Sequence, residues 1–252
     1  SRFVPHQFLE SLGRHDIAEV ALGDVVSKTL SVLFSDLRDF TTMSEVSDAG
    51  AVIQLLNDYF AAMEPNIVDA GGFIDSFNGD EIMALFDVGP ESAVRAAVHM
   101  QAALERFNAA GRRGLRMGIG INTGPVVLGT VGGRDRIKCG VVGDAVNVAS
   151  RIEGLTKRYG ARLLIGEATR DALPATSFSL RAVDRVAVKG RRRAQTIFEV
   201  LDAAPAAERA AKEGSSGALA QAMARYYARE FGAAADGFAE CLRLAPADVV
   251  PA

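Results

Sequence analysis

The 252-residue sequence lacks tryptophan, has only two cysteines and three histidines, and shows no excess of basic residues. Two cysteines cannot build a disulfide framework, and the scattered histidines lack the spacing of a metal site. The 28 basic and 31 acidic residues give a net charge of -3, which argues against a nucleic-acid-binding protein. No apolar run approaches the roughly 20 residues that cross a bilayer, and no signal peptide is recognisable. The sequence therefore predicts a cytoplasmic chain without a membrane segment.

The composition that is present is that of an ordinary globular protein, with 49% hydrophobic and 23% charged residues. We expect four parts: an N-terminal linker segment (1–29), a main domain (30–201), a second linker (202–216) and a C-terminal helical extension (217–252). Because the sequence starts at Ser1 and not at a methionine, we also expect a fragment of a larger protein that carries an upstream sensor or an anchor.

Local patterns in the main domain predict alternating strands and helices. A short apolar run predicts a buried strand that ends at Asp36, and a helix follows whose N-cap is Thr41 or Thr42. Two strand-like runs flank Asn78-Gly79, which favours a type I′ hairpin turn. A second hairpin is predicted around residues 122–125.

The predicted order is strand, helix, hairpin, helix and hairpin, followed by further strands and one helix. Its first half matches the βαββαβ unit of ferredoxin-like α+β proteins. Helices then cover one face of the sheet, and the other face is left free for a partner.

In the extension, Ala234 and Phe238 follow the second half of a tetratricopeptide repeat. One such unit cannot bury its own face, so it is either a truncated array or a helix pair packed on the main domain.

Two carboxylates have the positions of metal ligands. Asp36 ends the first strand and Asp80 follows the Asn78-Gly79 turn, so a βαββαβ sheet can bring them together. Two hard oxygen donors suit Mg²⁺, which keeps waters and takes further ligands from substrate phosphates. The alternative is that both are surface turn or cap aspartates.

Three further segments carry candidate phosphate contacts. Phe40 and Thr41 lie at the start of the first helix, where backbone amides attract anions, although every helix has such an end. Asn147 and Arg151 are spaced i, i+4 and share a helix face, where a guanidinium can neutralise phosphate charge. The alternative is an exposed arginine paired with Glu153 or Asp144. Lys189 lies in a basic loop and either reaches a phosphate or is merely solvated.

Five segments in this order resemble the catalytic domain of the class III nucleotide cyclases, the adenylate and guanylate cyclases. The resemblance covers residues 28–201 and implies the fold of that catalytic domain, with a ferredoxin-like core. The segments that carry it are VLFSDLRDFT (32–41), FNGDEIMALF (77–86), GIGINTG (118–124), VGDAVNVASR (142–151) and VKG (188–190).

The resemblance implies a two-metal cyclisation of a nucleoside triphosphate. Asp36 and Asp80, helped by the Leu37 carbonyl, would bind two Mg²⁺ or Mn²⁺ ions. The ribose 3′-hydroxyl would attack the α-phosphate, and pyrophosphate would leave. Asn147 would orient the ribose and Arg151 would stabilise the transition state.

The resemblance also implies how the site is assembled. Phe40, Thr41 and Lys189 would hold phosphates. The metal ligands would come from one chain and the Asn-Arg pair from the other, so that the active site exists only in a head-to-tail homodimer. Residues 129–140 would form an arm that crosses to the partner.

The base-reading positions, Ser76 and Gly140, match neither the adenylate nor the guanylate pattern, and Cys139 lies one residue from the guanine-reading position. We expect weak base selectivity, and we favour ATP because it is the commoner substrate of bacterial members. The alternatives are a guanylate cyclase, or a degenerate domain that binds nucleotide or only transmits dimer geometry.

Overall fold

A computed structural model describes residues 6–14, 19–111, 114–133, 137–187 and 194–250. The elements, in chain order, are α1 (His6–Ser11), β1 (Val25–Leu37), α2 (Phe40–Glu45), α3 (Ala49–Val68), β2 (Gly72–Asn78), β3 (Glu81–Phe86), α4 (Pro90–Gly111), β4 (Met117–Gly132), β5 (Ile137–Val142), α5 (Asp144–Arg158), β6 (Leu163–Gly166), α6 (Glu167–Asp171), β7 (Leu180–Val186), β8 (Gln195–Val200), α7 (Ala206–Tyr227) and α8 (Phe231–Leu244).

The sheet confirms the predicted ferredoxin-like α+β core. Its first four strands lie in the order β2-β3-β1-β4, and all neighbours in this set are antiparallel. Beyond β4 the sheet continues through β6, β8 and β7, with β6 parallel to β4. Strand β5 pairs only with the far end of β4. The sheet thus has a ferredoxin-like half and a second half that leads to the C-terminal helices.

The hairpin predicted around residues 122–125 is wrong, because β4 runs through this segment without a turn. It pairs with β1 along thirteen residues, from Val25↔Gly129 to Leu37↔Met117. Pro125 is tolerated because, on the other edge of β4, β6 pairs only with residues 119–121 and β5 only with residues 127–132. A proline there removes no hydrogen bond to those two strands.

One face of the sheet, which we call the α3/α4 face, carries the larger core. Helix α3 turns Tyr59, Met63 and Ile67 onto it at the i, i+4, i+8 spacing of an amphipathic helix, and all three are fully buried. Strand residues such as Leu33 and Ile82 supply the other side of the contact. This layer matches the helix-covered face that the βαββαβ pattern predicts.

The opposite face, which we call the α5 face, is not left free as predicted. Phe34 and Met83 point into a second cluster on this face, and Phe8 of α1 packs against them. Ala145 and Ala149 of α5 belong to the same cluster, and residues of β5 pack at its edge. Helix α1, strand β5 and the apolar side of α5 therefore cover much of the face that the sequence pattern leaves open.

Close contact between α5 and β4 depends on Gly120. A Cβ atom at this position would lie 2.1 Å from the backbone nitrogen of Glu153 and 2.7 Å from the carbonyl oxygen of Ala149. Gly120→Ala is therefore expected to lower the free energy of unfolding by about 1–3 kcal/mol, as overpacking does. Urea denaturation measures this change. The matched control is Gly154→Ala, an exposed position on α5 with no atom near its Cβ, where alanine favours the helix.

The linker predicted over residues 202–216 is wrong for residues 206–216, which form the first half of α7. The segment is rich in alanine, and Lys212 forms an i, i+4 ion pair with Glu208. Lys212 and Ser215 are also buried, so tertiary contacts hold this half of the helix in place. Helices α7 and α8 pack against each other after a break at Arg229, whose φ is 64°.

Candidate active site

Asp36 and Asp80 meet on the α5 face, at the end of β1. Asp36 pairs in register with Gly118 of β4, and the Leu37 amide donates a 3.0 Å hydrogen bond to Asp80 Oδ2. The loop between β2 and β3 consists of Gly79 and Asp80, because Asn78 already pairs with Glu81. Of these two loop residues only Gly79 has positive φ, so the predicted type I′ turn is wrong. The loop still carries Asp80 to the position expected for it.

The two carboxylates are close enough to perturb each other. Burial, a hydrogen bond to Asp80 and the negative charges of Asp80, Glu153 and Glu81 raise the pKa of Asp36 to about 7. A site that raises a carboxyl pKa in this way favours either a shared proton or a bound cation. Asp36 and Asp80 are therefore not isolated surface aspartates, and their arrangement is the one that the sequence reasoning expected.

A half-buried ion pair supports the floor of this site. Arg38 Nη1 lies 3.5 Å from Glu153 Oε1, and Arg38 also hydrogen bonds to the Thr156 hydroxyl. The Arg38 side chain lies over Gly118, where a Cβ would collide with the guanidinium at 2.1 Å. Burial, the largest cause, raises the pKa of Glu153 to about 7, although Arg38 acts in the opposite direction. Sequence reasoning considered Glu153 only as a possible partner of Arg151, because Arg38 lies 115 positions away from it in the chain.

This cluster predicts an unusual pH dependence of stability. Asp36 and Glu153 have pKa values of about 7 in the folded protein, against 3.8 and 4.5 for the unperturbed groups. The folded state binds more protons in this interval, so their contribution to the free energy of unfolding falls as pH rises from about 4 to about 7. Urea midpoints measured in EDTA near pH 5 and pH 8 should differ less for Asp36→Asn than for the wild type. The control Asp171→Asn should show the same difference between the two midpoints as the wild type. If Asp36→Asn also shows the wild-type difference, the raised pKa of Asp36 is contradicted.

The candidate phosphate contacts lie directly after the metal candidates. Asp39 adopts φ 59° and precedes α2, whose first residue, Phe40, is buried, while Thr41 is exposed. The predicted cap at Thr41 or Thr42 is wrong, because α2 begins at Phe40 and α3 has its own cap, Asp48, which accepts a hydrogen bond from the Ala51 amide. A 6-residue helix, α2, and a 20-residue helix, α3, replace the single predicted one.

Asn147 and Arg151 lie on α5 but on its exposed side. An α-helix turns by about 100° per residue, so Arg151 and Glu153 lie about 200° apart around the axis of α5. Because Glu153 faces Arg38 on the buried side, Arg151 points away from the carboxylate pair of its own chain. Glu153 forms an ion pair with Arg38, which weakens the interpretation that Arg151 merely pairs with Glu153 but does not affect the alternative pairing with Asp144. Lys189 falls outside the described residues.

Ser76 lies opposite Met83 on the α5 face, and Gly140 lies on β5 between Cys139 and Val141, which pack against the cluster on that face. Asp75, next to Ser76, interacts electrostatically with Lys138 and Cys139, which directly precede Gly140. No atom lies within 4 Å of the position that a Cβ of Gly140 would take. The fold therefore brings the two predicted base-reading positions near each other and leaves room at one of them.

A divalent metal fits the donor set of Asp36 and Asp80. Within the described ranges there is no cluster of three or more His, Cys, Asp and Glu side chains that could hold a metal by itself. Mg²⁺ needs only one or two carboxylates when waters and substrate phosphates complete its shell. Burial and the charges of the neighbouring carboxylates raise the pKa of Asp36, and a divalent cation would neutralise those charges.

Comparison with known proteins gives the family directly. The family model described as "Adenylate and Guanylate cyclase catalytic domain" matches residues 25–200. The chain belongs to this cyclase family. Members of this family are lyases that generally use divalent metal ions.

Individual relatives include cyclases of both substrate types. This cyclase is 47% identical over 210 residues to an adenylate cyclase of Anabaena cylindrica, covering 79% of the chain and 42% of the relative. It is 41% identical to the terminal-differentiation-specific adenylate cyclase of Dictyostelium discoideum, covering 80% of the chain and 10% of the relative. The crystal structure of the guanylyl cyclase Cya2 matches with a TM-score of 0.61 and 36% identity, over 72% of the chain and 94% of that structure.

The chain thus spans less than half the length of these two curated adenylate cyclases. In the part of this cyclase that the structure describes, no helix combines the length and the hydrophobicity needed to cross a bilayer.

Proposed function

We propose that this cyclase converts ATP to 3′,5′-cyclic AMP and pyrophosphate at a site shared between the two chains of a head-to-tail homodimer. The observation that carries the proposal is the separation of the two halves of the site on one chain. Asp36 and Asp80 meet on the α5 face, whereas Arg151 lies on the exposed side of α5. A second chain is the simplest source of the missing half.

In the proposed mechanism each residue has a separate task. Asp36, Asp80 and the Leu37 carbonyl would hold two divalent ions, Mg²⁺ or Mn²⁺, which would supply Lewis-acid stabilisation of charge on the reacting oxygens. Phe40 and Thr41 at the start of α2, and Lys189, contact phosphate oxygens.

The residues of the second chain act on the ribose and the α-phosphate. Asn147 donates a hydrogen bond that orients the ribose so that its 3′-hydroxyl lies in line with the α-phosphate. The Arg151 guanidinium stabilises the charge that develops on the α-phosphoryl oxygens. Ser76 and Gly140 line the base pocket.

The free state of Cys139 and Cys241 supports a cytoplasmic location.

Incubation of the purified chain with Mn²⁺ and either ATP or GTP, followed by identification of the cyclic product, tests the substrate. Similarity to two adenylate cyclases favours ATP. Likeness to the guanylyl cyclase Cya2 keeps cyclic GMP formation as the second candidate. Product from neither nucleotide would favour a degenerate nucleotide-binding domain.

Mixing of two inactive variants tests the shared site. Asp36→Ala and Arg151→Ala should each be inactive alone, because every site in such a homodimer lacks one half. In an equal mixture, random exchange gives half heterodimers, each with one intact site of two, so activity should return to about a quarter of the wild-type value. A site built within one chain predicts no recovery. Size-exclusion chromatography of each variant confirms that both still form dimers.

A further inference from the structure

The base pocket of the proposed enzyme has two weak positions, since Ser76 offers one hydroxyl and Gly140 offers no side chain. A site that selects a purine needs hydrogen-bonding groups that match the edge of the base. The structure supplies an additional group beside Ser76 that strand periodicity does not reveal.

A β-bulge in β2 places Asp75 and Ser76 on the same face. Gly72 to Ile74 pair regularly with Phe86 to Ala84, but Ser76 then pairs with Met83, so that Asp75 is the extra residue. Phe73 packs on the α5 face and Ile74 on the α3/α4 face, and alternation therefore returns Asp75 to the α5 face. Ser76 lies opposite Met83, which belongs to the α5-face cluster. Bulges commonly re-aim side chains next to active sites.

The surroundings of Asp75 are polar and come from both halves of the base pocket. The Ser76 hydroxyl and the positive charge of Lys138 on β5 both lie close enough to the Asp75 carboxylate to favour its charged form. Burial raises the pKa of Asp75, while Ser76 and Lys138 act in the opposite direction. Cys139, also on β5, is close enough for the Asp75 charge to raise its pKa. A carboxylate has about four acceptor sites, so acceptor capacity remains after its interaction with Ser76.

We propose that Asp75 is a specificity-determining residue whose carboxylate accepts a hydrogen bond from the exocyclic amino group of the purine base. This inference rests on the proposed function, because it concerns the base of the same nucleotide. Adenine presents its amino group at C6 and guanine at C2, so the two bases share the chemistry that Asp75 recognises. The bulge is what makes this carboxylate available beside Ser76.

The test compares nucleotides that differ only by the amino group. The pairs are ATP with purine riboside triphosphate, and GTP with inosine triphosphate. In the wild type, the nucleotide with the amino group should have a kcat/KM about 10- to 100-fold higher, as expected for a hydrogen bond to a charged acceptor. Asp75→Ala should remove this advantage and leave kcat/KM for the partner nucleotide within about twofold. The pair that responds identifies which base is read.

Further variants and a binding measurement keep the test decisive. Asp75→Asn retains the size and one neutral acceptor and should lose only part of the selectivity, and it replaces the alanine variant if that one does not fold. Asp171→Ala, at an exposed position on α6, should change nothing. If Asp75→Ala lowers kcat/KM equally for both nucleotides of a pair, or lowers it for neither, the inference is overturned.

If the wild type turns over neither ATP nor GTP, the proposed function fails. Calorimetric titration of the same nucleotide pairs with Mn²⁺ then tests Asp75 independently of activity. Loss of the affinity difference in Asp75→Ala would support the inference, and an unchanged difference would overturn it.

Discussion

Replacement of Asp36 by alanine should lower the cyclase rate by at least about a thousandfold while the protein stays folded. Divalent ions contribute several kcal/mol to the stabilisation of a phosphoryl transition state, and about 4 kcal/mol corresponds to a thousandfold in rate. Asp36 is the carboxylate on which the charges of Asp80, Glu153 and Glu81 converge. Its removal should therefore weaken metal binding at the shared site.

The folded state should tolerate this change well. Without a metal, Asp36 faces other negative charges, so its loss removes repulsion above pH 7. The Leu37 amide keeps its hydrogen bond to Asp80 in the variant, since neither group is altered. Urea denaturation in EDTA should give a midpoint at or above that of the wild type.

Two measurements separate loss of metal from loss of fold. In the wild type, Mn²⁺ should raise the melting temperature, because a ligand that binds only the native state stabilises it. Asp36→Ala should show little or no such shift. Asp87→Ala, which removes an exposed carboxylate paired with Lys28, should keep both activity and the Mn²⁺ shift. Full activity in Asp36→Ala would refute the metal assignment.

The proximity of Asp36 and Asp80 could be predicted because its signals are local. Asp36 follows an apolar run, and Asp80 follows a glycine between two strand-like runs. Once the βαββαβ order is recognised, the topology alone puts the two segments side by side, as the antiparallel pairing of β1 with β3 shows. The predicted turn type is wrong, but the predicted position of Asp80 is right, because a loop of only two residues fixes where Asp80 lies.

The errors arise where a glycine or proline has a tertiary role. Gly124-Pro125 has the composition of a turn, yet it lies within β4. A Cβ at Gly124 would lie 3.1 Å from the Cβ of Ala145, so this glycine lets α5 approach the strand. A turn signal and a close-approach signal use the same residue type, and only the packing of α5 distinguishes them.

The role proposed for Asp75 could not be predicted for a related reason. A one-residue bulge changes which side chains share a face, but it leaves no mark in a hydrophobic pattern of period two.

The helical nature of residues 206–216 was missed similarly. Alanine, glycine and serine resemble a linker until the buried ion pairs of Lys212 are known.

A cluster of buried charged side chains joins the C-terminal extension to the sheet. Arg181 on β7 bonds to Glu199 on β8 and, through both terminal nitrogens, to Asp248. Lys212 on α7 bonds to the other oxygen of Glu199 at 2.7 Å. The side chains of Arg181, Glu199 and Asp248 are each no more than 2% exposed. This cluster links the C-terminal segment directly to the β8-β7 end of the sheet.

Asp248→Ala should therefore lower the free energy of unfolding by about 3–5 kcal/mol, because it leaves the positive charge of Arg181 buried and only partly compensated. Urea denaturation measures the loss. The double variant Arg181→Met/Asp248→Leu should recover much of it, since an apolar pair replaces the charges without leaving one unpaired. Glu240→Ala, which breaks an exposed pair with Arg243, should change little. If Asp248→Ala behaves like Glu240→Ala, the C-terminal segment does not contribute to the stability of the catalytic domain.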